Sequence, residues 1–521
     1  MEMVQTEADQ AAARAYDYII VGAGSAGCVL AYRLSDSPRT AVLLIEAGPR
    51  DASPLIHEPK GYVRTHRDPR LRWAFPLTAD AGRGECQGMF IAGKVLGGSS
   101  SINGMVYVRG HPDDYDGWAK SGAPGWSWEH ILPCFRSIED HELGENDVRG
   151  AGGPLHISLR RRSGALSEAV IQAGISAGLS YREDLNDLDG ERIGYFPATI
   201  EHGRRVSAAR AFLTPITGRP NLTVLTDTVV THVVFDGTRT IGVACITNGM
   251  PREFRAAKEV LVCAGALQSP KILQLSGVGP AQHLRSLDVP VIHDSPGVGA
   301  NLRDHWGLRL QYHLLRRAKL ARLCRGTGLR GRALRYLISR TGMFLSTGAE
   351  IGAFVRASRD ARHPDAELLI SPFSIIPGTG DFEWEPRLQC QAQSLRPESQ
   401  GTVMIRSRDP TVAPEIRADF LSTEADRQLT VDMVRYARRL LRQPALGPYL
   451  GEEAFPGSSV QSDEEIIEVC RRSGASGSHY AGTCKMGQDR MAVLDERLRV
   501  RGVSGLRVVD GSIMPTLVSG N

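Results

Sequence analysis

One stretch near the N-terminus, an apolar run followed by closely spaced glycines, limits what this chain can fold into. The run 18–21 is rich in β-branched residues and predicts a buried strand, and segment 28–34 carries apolar residues at helical spacing. Between them, Gly22 allows a tight turn, Gly24 allows the backbone to approach a pyrophosphate, and Gly27 allows the helix to pack closely on the strand. Backbone N–H groups at the start of such a helix favour anions. The pattern is therefore typical of a dinucleotide site.

An acidic residue completes this unit. The apolar run 41–45 predicts a second buried strand. It ends at Glu46, about twenty residues after Gly24, from where a carboxylate reaches a ribose 2′-hydroxyl. Because this carboxylate would repel a 2′-phosphate, the sequence favours FAD or NAD. The candidate cofactor-binding residues of the unit are Gly22, Gly24, Ser25, Ala26, Gly27, Glu46 and Ala47.

Length and composition are those of a globular protein with more than one domain. A chain of 521 residues exceeds what one hydrophobic core accommodates, so we expect two or three domains. Hydrophobic residues make up 42% and charged residues 23%, which is ordinary for such a protein. The formal charge of +4 does not indicate a nucleic-acid partner. No apolar run is long enough to predict a membrane-spanning helix.

The cysteines and the N-terminal residues bear on the compartment. The nine cysteines are scattered and lack the spacing of metal ligands, so we expect reduced thiols and no metal site. Residues 1–14 lack the basic and apolar regions of a secretory signal. Together these features predict a cytoplasmic protein.

A second run, 93–110, is dense in glycine and serine. Small residues let a planar ligand lie against the backbone, and their exposed amides can hydrogen-bond it. A flexible linker is the alternative interpretation. Linkers of this composition, however, lack apolar residues such as Val95, Leu96 and Ile102. We therefore expect the run to contact a ligand.

Several blocks of the sequence resemble one known family. The run 93–110, followed by His111-Pro112, resembles the first signature of the glucose–methanol–choline (GMC) family of flavin-dependent oxidoreductases, and 265–279 resembles the second. The blocks occur in the family's order and span nearly the whole chain. The further matching blocks are 297–305, 395–399, 479–487 and 506–515.

The resemblance implies an α/β protein with two domains. The first is a Rossmann-like FAD-binding domain assembled from residues 15–158, 203–310 and 473–521. The second is an α+β substrate-binding domain, built on an antiparallel sheet from residues 159–202 and 311–472, that covers the flavin. The implied cofactor is FAD rather than NAD.

Further cofactor contacts follow from the resemblance rather than from spacing. They lie in the first signature, in a strand beside the adenine and in the last block. These residues are Val95, Gly97, Gly98, Asn103, Gly104, Met105, Val106, Val230, Asp510 and Gly511.

The implied activity is oxidation of a primary alcohol to the aldehyde, with oxygen or a quinone as the final electron acceptor. The protein must hold the alcohol carbon over flavin N5, which accepts a hydride, and remove the hydroxyl proton. His479 matches the family's active-site histidine, and imidazole has a pKa suited to a base near pH 7. The family's second position, a histidine or asparagine, falls on Asn521. Asparagine cannot act as a base, but it can hydrogen-bond the substrate oxygen.

One departure from the family concerns how the flavin is held. Some relatives carry a histidine in the first signature that bonds covalently to the flavin. Ile102 occupies that place here. Because an aliphatic side chain cannot form this bond, we expect FAD to be bound non-covalently.

Two other functions remain open at this point. Some similar proteins with the same fold catalyse a non-redox lyase reaction in which the flavin takes no part. The other alternative is a flavin-binding but inactive homologue, because the sequence ends at Asn521, where similar proteins continue for another helical segment.

Basic residues are concentrated between positions 316 and 340. Such a stretch most often forms a solvated helical face, because long cationic side chains cover apolar surface. Contact with an anionic membrane or a redox partner is the alternative. The residues are Arg316, Arg317, Lys319, Arg322, Arg325, Arg330, Arg332, Arg335 and Arg340.

Overall fold

A computed structural model describes residues 11, 14–78, 88–160, 164–188, 190–315, 347–374 and 387–520. The predicted active-site residue Asn521 and the basic stretch 316–340 lie outside the described residues. No helix among those described is long and apolar enough to cross a membrane.

The strands are β1 (Tyr16–Val21), β2 (Val42–Ile45), β3 (Arg72–Pro76), β4 (Met89–Gly93), β5 (Glu139–His141), β6 (Leu155–Ile157), β7 (Ser180–Tyr181), β8 (Arg192–Tyr195), β9 (Ile200–Glu201), β10 (Arg204–Arg205), β11 (Leu222–Leu225), β12 (Thr228–Asp236), β13 (Arg239–Thr247), β14 (Met250–Val262), β15 (Val278–Gly279), β16 (His293–Asp294), β17 (Trp306–Leu314), β18 (Ile351–Val355), β19 (Ala366–Ser371), β20 (Arg387–Ser394), β21 (Thr402–Met404), β22 (Glu415–Arg417), β23 (Leu450–Phe455), β24 (Ala475–Ser476) and β25 (Leu506–Val508).

The α-helices are α1 (Ser25–Leu34), α2 (Pro54–His57), α3 (Tyr62–Thr65), α4 (Pro112–Lys120), α5 (Trp128–Ile138), α6 (Ala165–Ser176), α7 (Gly265–Leu275), α8 (Ala281–Ser286), α9 (Glu424–Leu441) and α10 (Asp463–Ser473). Short 3₁₀ turns span Pro59–Gly61, Gly98–Ser101, Pro124–Trp126, Thr214–Ile216, Pro444–Leu446 and Gly511–Ile513, and Ala209–Leu213 forms a π-helical turn.

The first sheet has the strand order β11-β2-β1-β14-β13-β12, with β25 also paired to β14. The pairs β11–β2, β2–β1, β1–β14 and β14–β25 are parallel, whereas β12, β13 and β14 form antiparallel pairs. All four residues of β2 are buried, as expected for a central parallel strand covered on both faces. The apolar runs 18–21 and 41–45 thus form neighbouring strands, with α1 between them in sequence.

The second sheet has the strand order β23-β17-β20-β19-β18-β8-β7, with β24 also paired to β17. Its pairs are antiparallel except for β7–β8. One face packs its apolar residues against helices α6, α9 and α10 in the largest hydrophobic cluster of the described residues. The helix α9 suits this position because its buried residues form one stripe and Thr423 caps its start.

The predicted fold class, a Rossmann-like domain joined to a second domain on an antiparallel sheet, is confirmed. Two short segments lie across the expected domain boundaries. Strand β17 begins before residue 310 and belongs to the second sheet, and β24 does so although it follows residue 473. The reason is a direct ladder between them, in which Trp306 pairs with Ser476.

Candidate active site

The glycine turn between β1 and α1 has the geometry that its sequence predicts. Gly22 has φ +100°, and a Cβ there would lie 2.6 Å from the carbonyl oxygen of Cys263. A Cβ on Gly27 would lie 1.9 Å from the carbonyl oxygen of Gly22, so only glycine lets α1 pack this closely. For Gly24 the nearest atom would be Cys263 O at 4.0 Å, which leaves room beside the backbone.

Glu46 fastens this turn with both carboxylate oxygens. Its Oε2 accepts a hydrogen bond from the backbone N–H of Ala23, and its Oε1 accepts one from that of Gly48, each at 2.9 Å. The side chain is buried, and burial raises the pKa of Glu46 to about 7 even though the hydrogen bonds and Lys94 oppose the shift. The carboxylate therefore stabilises the turn and also lies on the wall of the adjacent cavity.

A cavity of about 430 Å³ runs along the carboxyl ends of the parallel strands in the first sheet. Its size lies within the range of small-molecule and cofactor sites. The cavity brings together eleven of the residues predicted from the sequence: Gly22, Gly24, Ser25, Ala26, Glu46, Ala47, Gly98, Val230, His479, Asp510 and Gly511. The open backbone at Gly24, the start of α1 and the nearby Glu46 fit the diphosphate and ribose of a dinucleotide.

Asp510 and Gly511 also line this cavity. The Oδ2 atom of Asp510 accepts hydrogen bonds from the backbone N–H of Gly265 at 2.8 Å and from the hydroxyl of Ser269 at 2.6 Å. Its Oδ1 accepts one from the backbone N–H of Ser512 at 2.8 Å. The carboxylate thus ties the start of α7 to the segment after β25.

Other residues predicted to contact the cofactor do not line the cavity but pack in the structure around it. The backbone N–H of Gly97 donates to the carbonyl of Ala23 at 2.8 Å, which joins the second glycine-rich run to the first. Val95 is fully buried and packs with Ile56, Leu71 and Ile102. Gly27 acts in helix packing, as described above. These three residues do not line the cavity.

The remaining residues of the first signature lie beside the second domain. Asn103 is exposed, and its Oδ1 accepts a hydrogen bond from Arg205 Nη1 at 2.7 Å. Gly104 accepts one from the backbone N–H of Gly348 at 2.8 Å. The side chain of Met105 is buried in a small apolar cluster, and Val106 is partly buried against another. Asn103, Gly104, Met105 and Val106 also do not line this cavity.

Two histidines meet at the flavin end predicted for the site. His305 Nδ1 and His479 Nδ1 lie 2.9 Å apart. His305 is completely buried, whereas His479 is partly exposed and lines the cavity. Burial lowers the pKa of His305 to about 4, and burial together with the neighbouring His305 lowers that of His479 to about 3. Both rings are therefore neutral at pH 7, and the pKa of His479 lies below the ordinary value assumed from the sequence.

The hydrogen bonds of His305 determine which nitrogen of each ring carries the proton. His305 Nε2 lies 3.1 Å from the carbonyl oxygens of both Leu395 and Val518. Because carbonyl oxygens only accept, His305 Nε2 carries the hydrogen, and its Nδ1 then accepts. His479 Nδ1 is consequently the donor of the shared hydrogen bond. This leaves a lone pair on His479 Nε2, which has no hydrogen-bond partner among the described residues.

A buried carboxylate holds the loop that carries His479. Asp304 Oδ1 accepts a hydrogen bond from the backbone N–H of His479 at 2.8 Å, and its Oδ2 accepts one from the hydroxyl of Ser476. Burial raises the pKa of Asp304 to about 7, although these hydrogen bonds oppose the shift. Next to His479, the ring of Tyr480 stacks on Phe90 with centroids 4.2 Å apart. The imidazole is thus fixed from the backbone side as well as through Nδ1.

Three residues with a part in this arrangement were not assigned by the sequence. Asp304 and His305 end a block that resembles the family, but nothing local to that block indicates their contact with His479. Arg205 donates to Asn103 and to the carbonyls of Ile56 and Ser100. A buried arginine of this kind has no signal in the sequence.

The fold and this site define a flavin-dependent oxidoreductase class. Family models described as GMC oxidoreductase match residues 16–307 and 397–521, so the chain belongs to the GMC oxidoreductase family. It is accordingly an FAD-binding oxidoreductase that acts on CH–OH donors.

Particular relatives extend over nearly the whole chain. It is 40% identical over 522 residues to the mitochondrial choline dehydrogenase of Mus musculus, covering 97% of this chain and 86% of that protein. It is 40% identical over 517 residues to the oxygen-dependent choline dehydrogenase of Escherichia coli O17:K52:H18, covering 97% and 92%. The crystal structure of pyridoxine 4-oxidase from Mesorbium loti matches with a TM-score of 0.85 at 32% identity, covering 97% and 96%.

Proposed function

We propose that the chain oxidises a primary alcohol to the aldehyde, with His479 as the base and non-covalently bound FAD as the hydride acceptor. The observation that carries this proposal is the tautomer of His479. His479 donates its Nδ1–H to His305, its Nε2 lone pair has no hydrogen-bond partner among the described residues, and the residue lines the cavity. To take a hydroxyl proton, a base must be neutral at pH 7 and fixed in orientation, and His479 meets both conditions, although its lowered pKa makes it a weaker base than an ordinary imidazole.

The cofactor would be held by the residues of the two glycine-rich runs. The diphosphate fits beside Gly24 and the start of α1, and the ribose hydroxyls fit near Glu46. When bound, FAD supplies a two-electron acceptor at N5. Ile102 is buried among apolar side chains and offers no atom for a covalent link. This supports a dissociable cofactor.

The protein's own groups would act on the alcohol in two ways. His479 Nε2 takes the hydroxyl proton, and the resulting imidazolium is held by the hydrogen bond from Nδ1 to His305. Asn521, which lies outside the described residues, is proposed to donate an amide hydrogen bond to the substrate oxygen. The two groups together would orient the carbon–hydrogen bond for transfer.

An anaerobic reduction screen tests this function. Holoenzyme is mixed with primary alcohols without oxygen, and the flavin absorbance is followed. At least one alcohol should bleach the flavin and yield the aldehyde, and air or a quinone should then restore the colour. Binding of FAD with no bleaching by any alcohol would contradict the proposal and favour the lyase or inactive alternatives. The rates with oxygen and with a quinone identify the electron acceptor.

A further inference from the structure

Strand β17 carries apolar side chains on one face and polar groups on the other. Trp306, Leu308 and Leu310 point into the core shared with α6, α9 and α10. Because successive strand residues alternate in direction, Gly307 and Arg309 belong to the opposite face. This opposite face is turned away from the helices of the second domain.

His305 precedes the strand and shares this polar face. Arg309 therefore follows His305 along one line of the sheet, at ~13 Å between their backbone positions for strand geometry. Gly307 lies between them and contributes no side chain. The backbone of β20 approaches so closely that a Cβ on Gly307 would lie 1.9 Å from the carbonyl oxygen of Ala392. No carboxylate or aromatic group can therefore stand between His305 and Arg309 on this strand.

The positive charge of Arg309 has no acidic partner in the described part of the chain. Its Nε donates to Gln391 Oε1 at 3.2 Å, and Gln391 in turn donates to Gln393. This chain of amides reaches the first carboxylate only at Glu367, which accepts from Gln393 at 2.8 Å. Burial lowers the pKa of Arg309, as expected for a cation that lacks a compensating anion. Arg309 Nη1 and Nη2 donate no hydrogen bond to another described residue, so they are open to another acceptor.

A second donor without a hydrogen-bond partner among the described residues lies near Arg309, in the first domain. Tyr62, in α3, is buried, and its hydroxyl has no hydrogen-bond partner among the described residues. The charge of Arg309 acts to lower the pKa of this hydroxyl, although burial dominates and raises it to about 12. The two side chains therefore lie within electrostatic range of each other. Buried donors of this kind require an acceptor.

We propose that Arg309 and Tyr62 bind the carboxylate of a hydroxy acid whose alcohol end lies at His479. This assignment of a substrate class rests on the proposed alcohol oxidation. A guanidinium binds a carboxylate through parallel N–H groups, and a tyrosine hydroxyl adds a third donor. The hydroxyl and carboxylate groups of such a substrate are separated by a few carbons.

A carboxylate site at Arg309 would give this chain a different substrate preference from that of the relatives named for choline. Choline carries a permanent positive charge, and binding such a cation calls for a carboxylate or an aromatic cage. The polar face of β17 instead carries Arg309, a cation with no acidic partner among the described residues. Repulsion from Arg309 should therefore make choline a poorer substrate than a hydroxy acid or a neutral alcohol.

The test compares straight-chain hydroxy acids, from 3-hydroxypropanoate to 6-hydroxyhexanoate, with primary alkanols of the same length and with choline. In wild-type holoenzyme, the best hydroxy acid should exceed its matched alkanol at least tenfold in kcat/KM. Arg309→Gln should remove this preference by lowering kcat/KM for the hydroxy acid at least tenfold more than for the alkanol, whereas Arg309→Lys should retain part of it. Arg255→Gln, at an exposed site on β14, is the matched charge control. Choline or the alkanol as the better substrate, or a preference that survives Arg309→Gln, would overturn the proposal.

Binding of butanoate, which lacks the hydroxyl group, tests the subsite without turnover. Calorimetric titration should give a dissociation constant at least tenfold weaker for Arg309→Gln than for the wild type, with a smaller loss for Tyr62→Phe. If butanoate binds in this way while no alcohol bleaches the flavin, the proposed alcohol oxidation is wrong and the carboxylate site at Arg309 is supported. Equal butanoate affinity in wild type and Arg309→Gln would overturn the subsite even if alcohols are oxidised.

Discussion

The Nδ1 atoms of His305 and His479 lie 2.9 Å apart although 174 positions separate the two residues in the chain. The carbonyl groups of Leu395 and Val518 fix the proton of His305, and His305 thereby fixes the proton of His479. Under the proposed function, the buried ring acts on the reaction through its neighbour. His305 is then a positioning residue, and His479 is the group that would touch the substrate.

Replacement of His305 should slow flavin reduction and leave FAD binding intact. His305→Leu removes the acceptor for His479 Nδ1–H, and the rate of anaerobic flavin reduction should fall by about 10²-fold or more, the contribution typical of a well-placed base. His305→Asn should recover part of the rate, because its amide oxygen can accept the same hydrogen bond. FAD content is the control. Equal reduction rates in His305→Leu and the wild type would remove this positioning role.

The histidine pair should also affect stability in acid. Unfolded imidazoles bind protons near pH 6.5, whereas His305 and His479 bind them only near pH 4 and 3 in the folded protein. Between these values the unfolded state holds more protons, so this pair makes the free energy of unfolding rise with pH from about 4 to 6.5. Asp304 and Glu46, with pKa values raised to about 7, act in the opposite direction.

A variant isolates this contribution from that of the carboxylates. The melting temperature of His305→Asn should depend less steeply on falling pH below about 6.5 than that of the wild type, because one buried imidazole is gone. Thermal denaturation at several pH values between 4 and 7.5 measures the difference. Parallel curves for the two proteins would show that His305 is not held neutral by burial.

Replacement of Gly24 by valine should prevent FAD binding without unfolding the protein. The space beside Gly24 is open, with the nearest atom 4.0 Å from an added Cβ, so the new side chain would occupy the place of the diphosphate. FAD content after purification should fall to about a tenth or less, while the melting temperature of the apoprotein stays within about 2 °C of the wild type. Gly218→Val, at an exposed turn, is the matched control. Normal FAD content in Gly24→Val would place the diphosphate elsewhere.

The flavin should leave the protein when it unfolds. Ile102 is buried against Val95, Ile56 and Leu71 and has no reactive atom. After precipitation with acid, the yellow colour should therefore appear in the supernatant. A yellow pellet that survives washing would reveal a covalent link at another residue.

Local sequence patterns predict the nucleotide half of the site because its parts are close in the chain. The strand, the glycine turn and α1 follow one another, and each glycine has a steric reason visible in the structure. Glu46 lies at the end of the next strand and pairs with the same turn. Only short-range geometry is needed for this part.

The catalytic half depends on contacts that local patterns do not encode. The alternation of apolar and polar residues along β17 predicts that the strand has two different faces. It does not indicate which of these faces lies on the side of His479. That choice depends on the ladder in which Trp306 pairs with Ser476, across the expected domain boundary. The low pKa of His479 likewise arises from burial beside His305 and not from its neighbours in sequence.

The most direct test of the account is the anaerobic reduction of the flavin in His479→Gln by an alcohol that bleaches the wild type. Glutamine keeps a similar size but cannot take a proton at the position of Nε2. FAD content should be normal, and the reduction rate should be lower by about 10²- to 10⁴-fold. A reduction rate equal to that of the wild type would contradict the proposed role of His479.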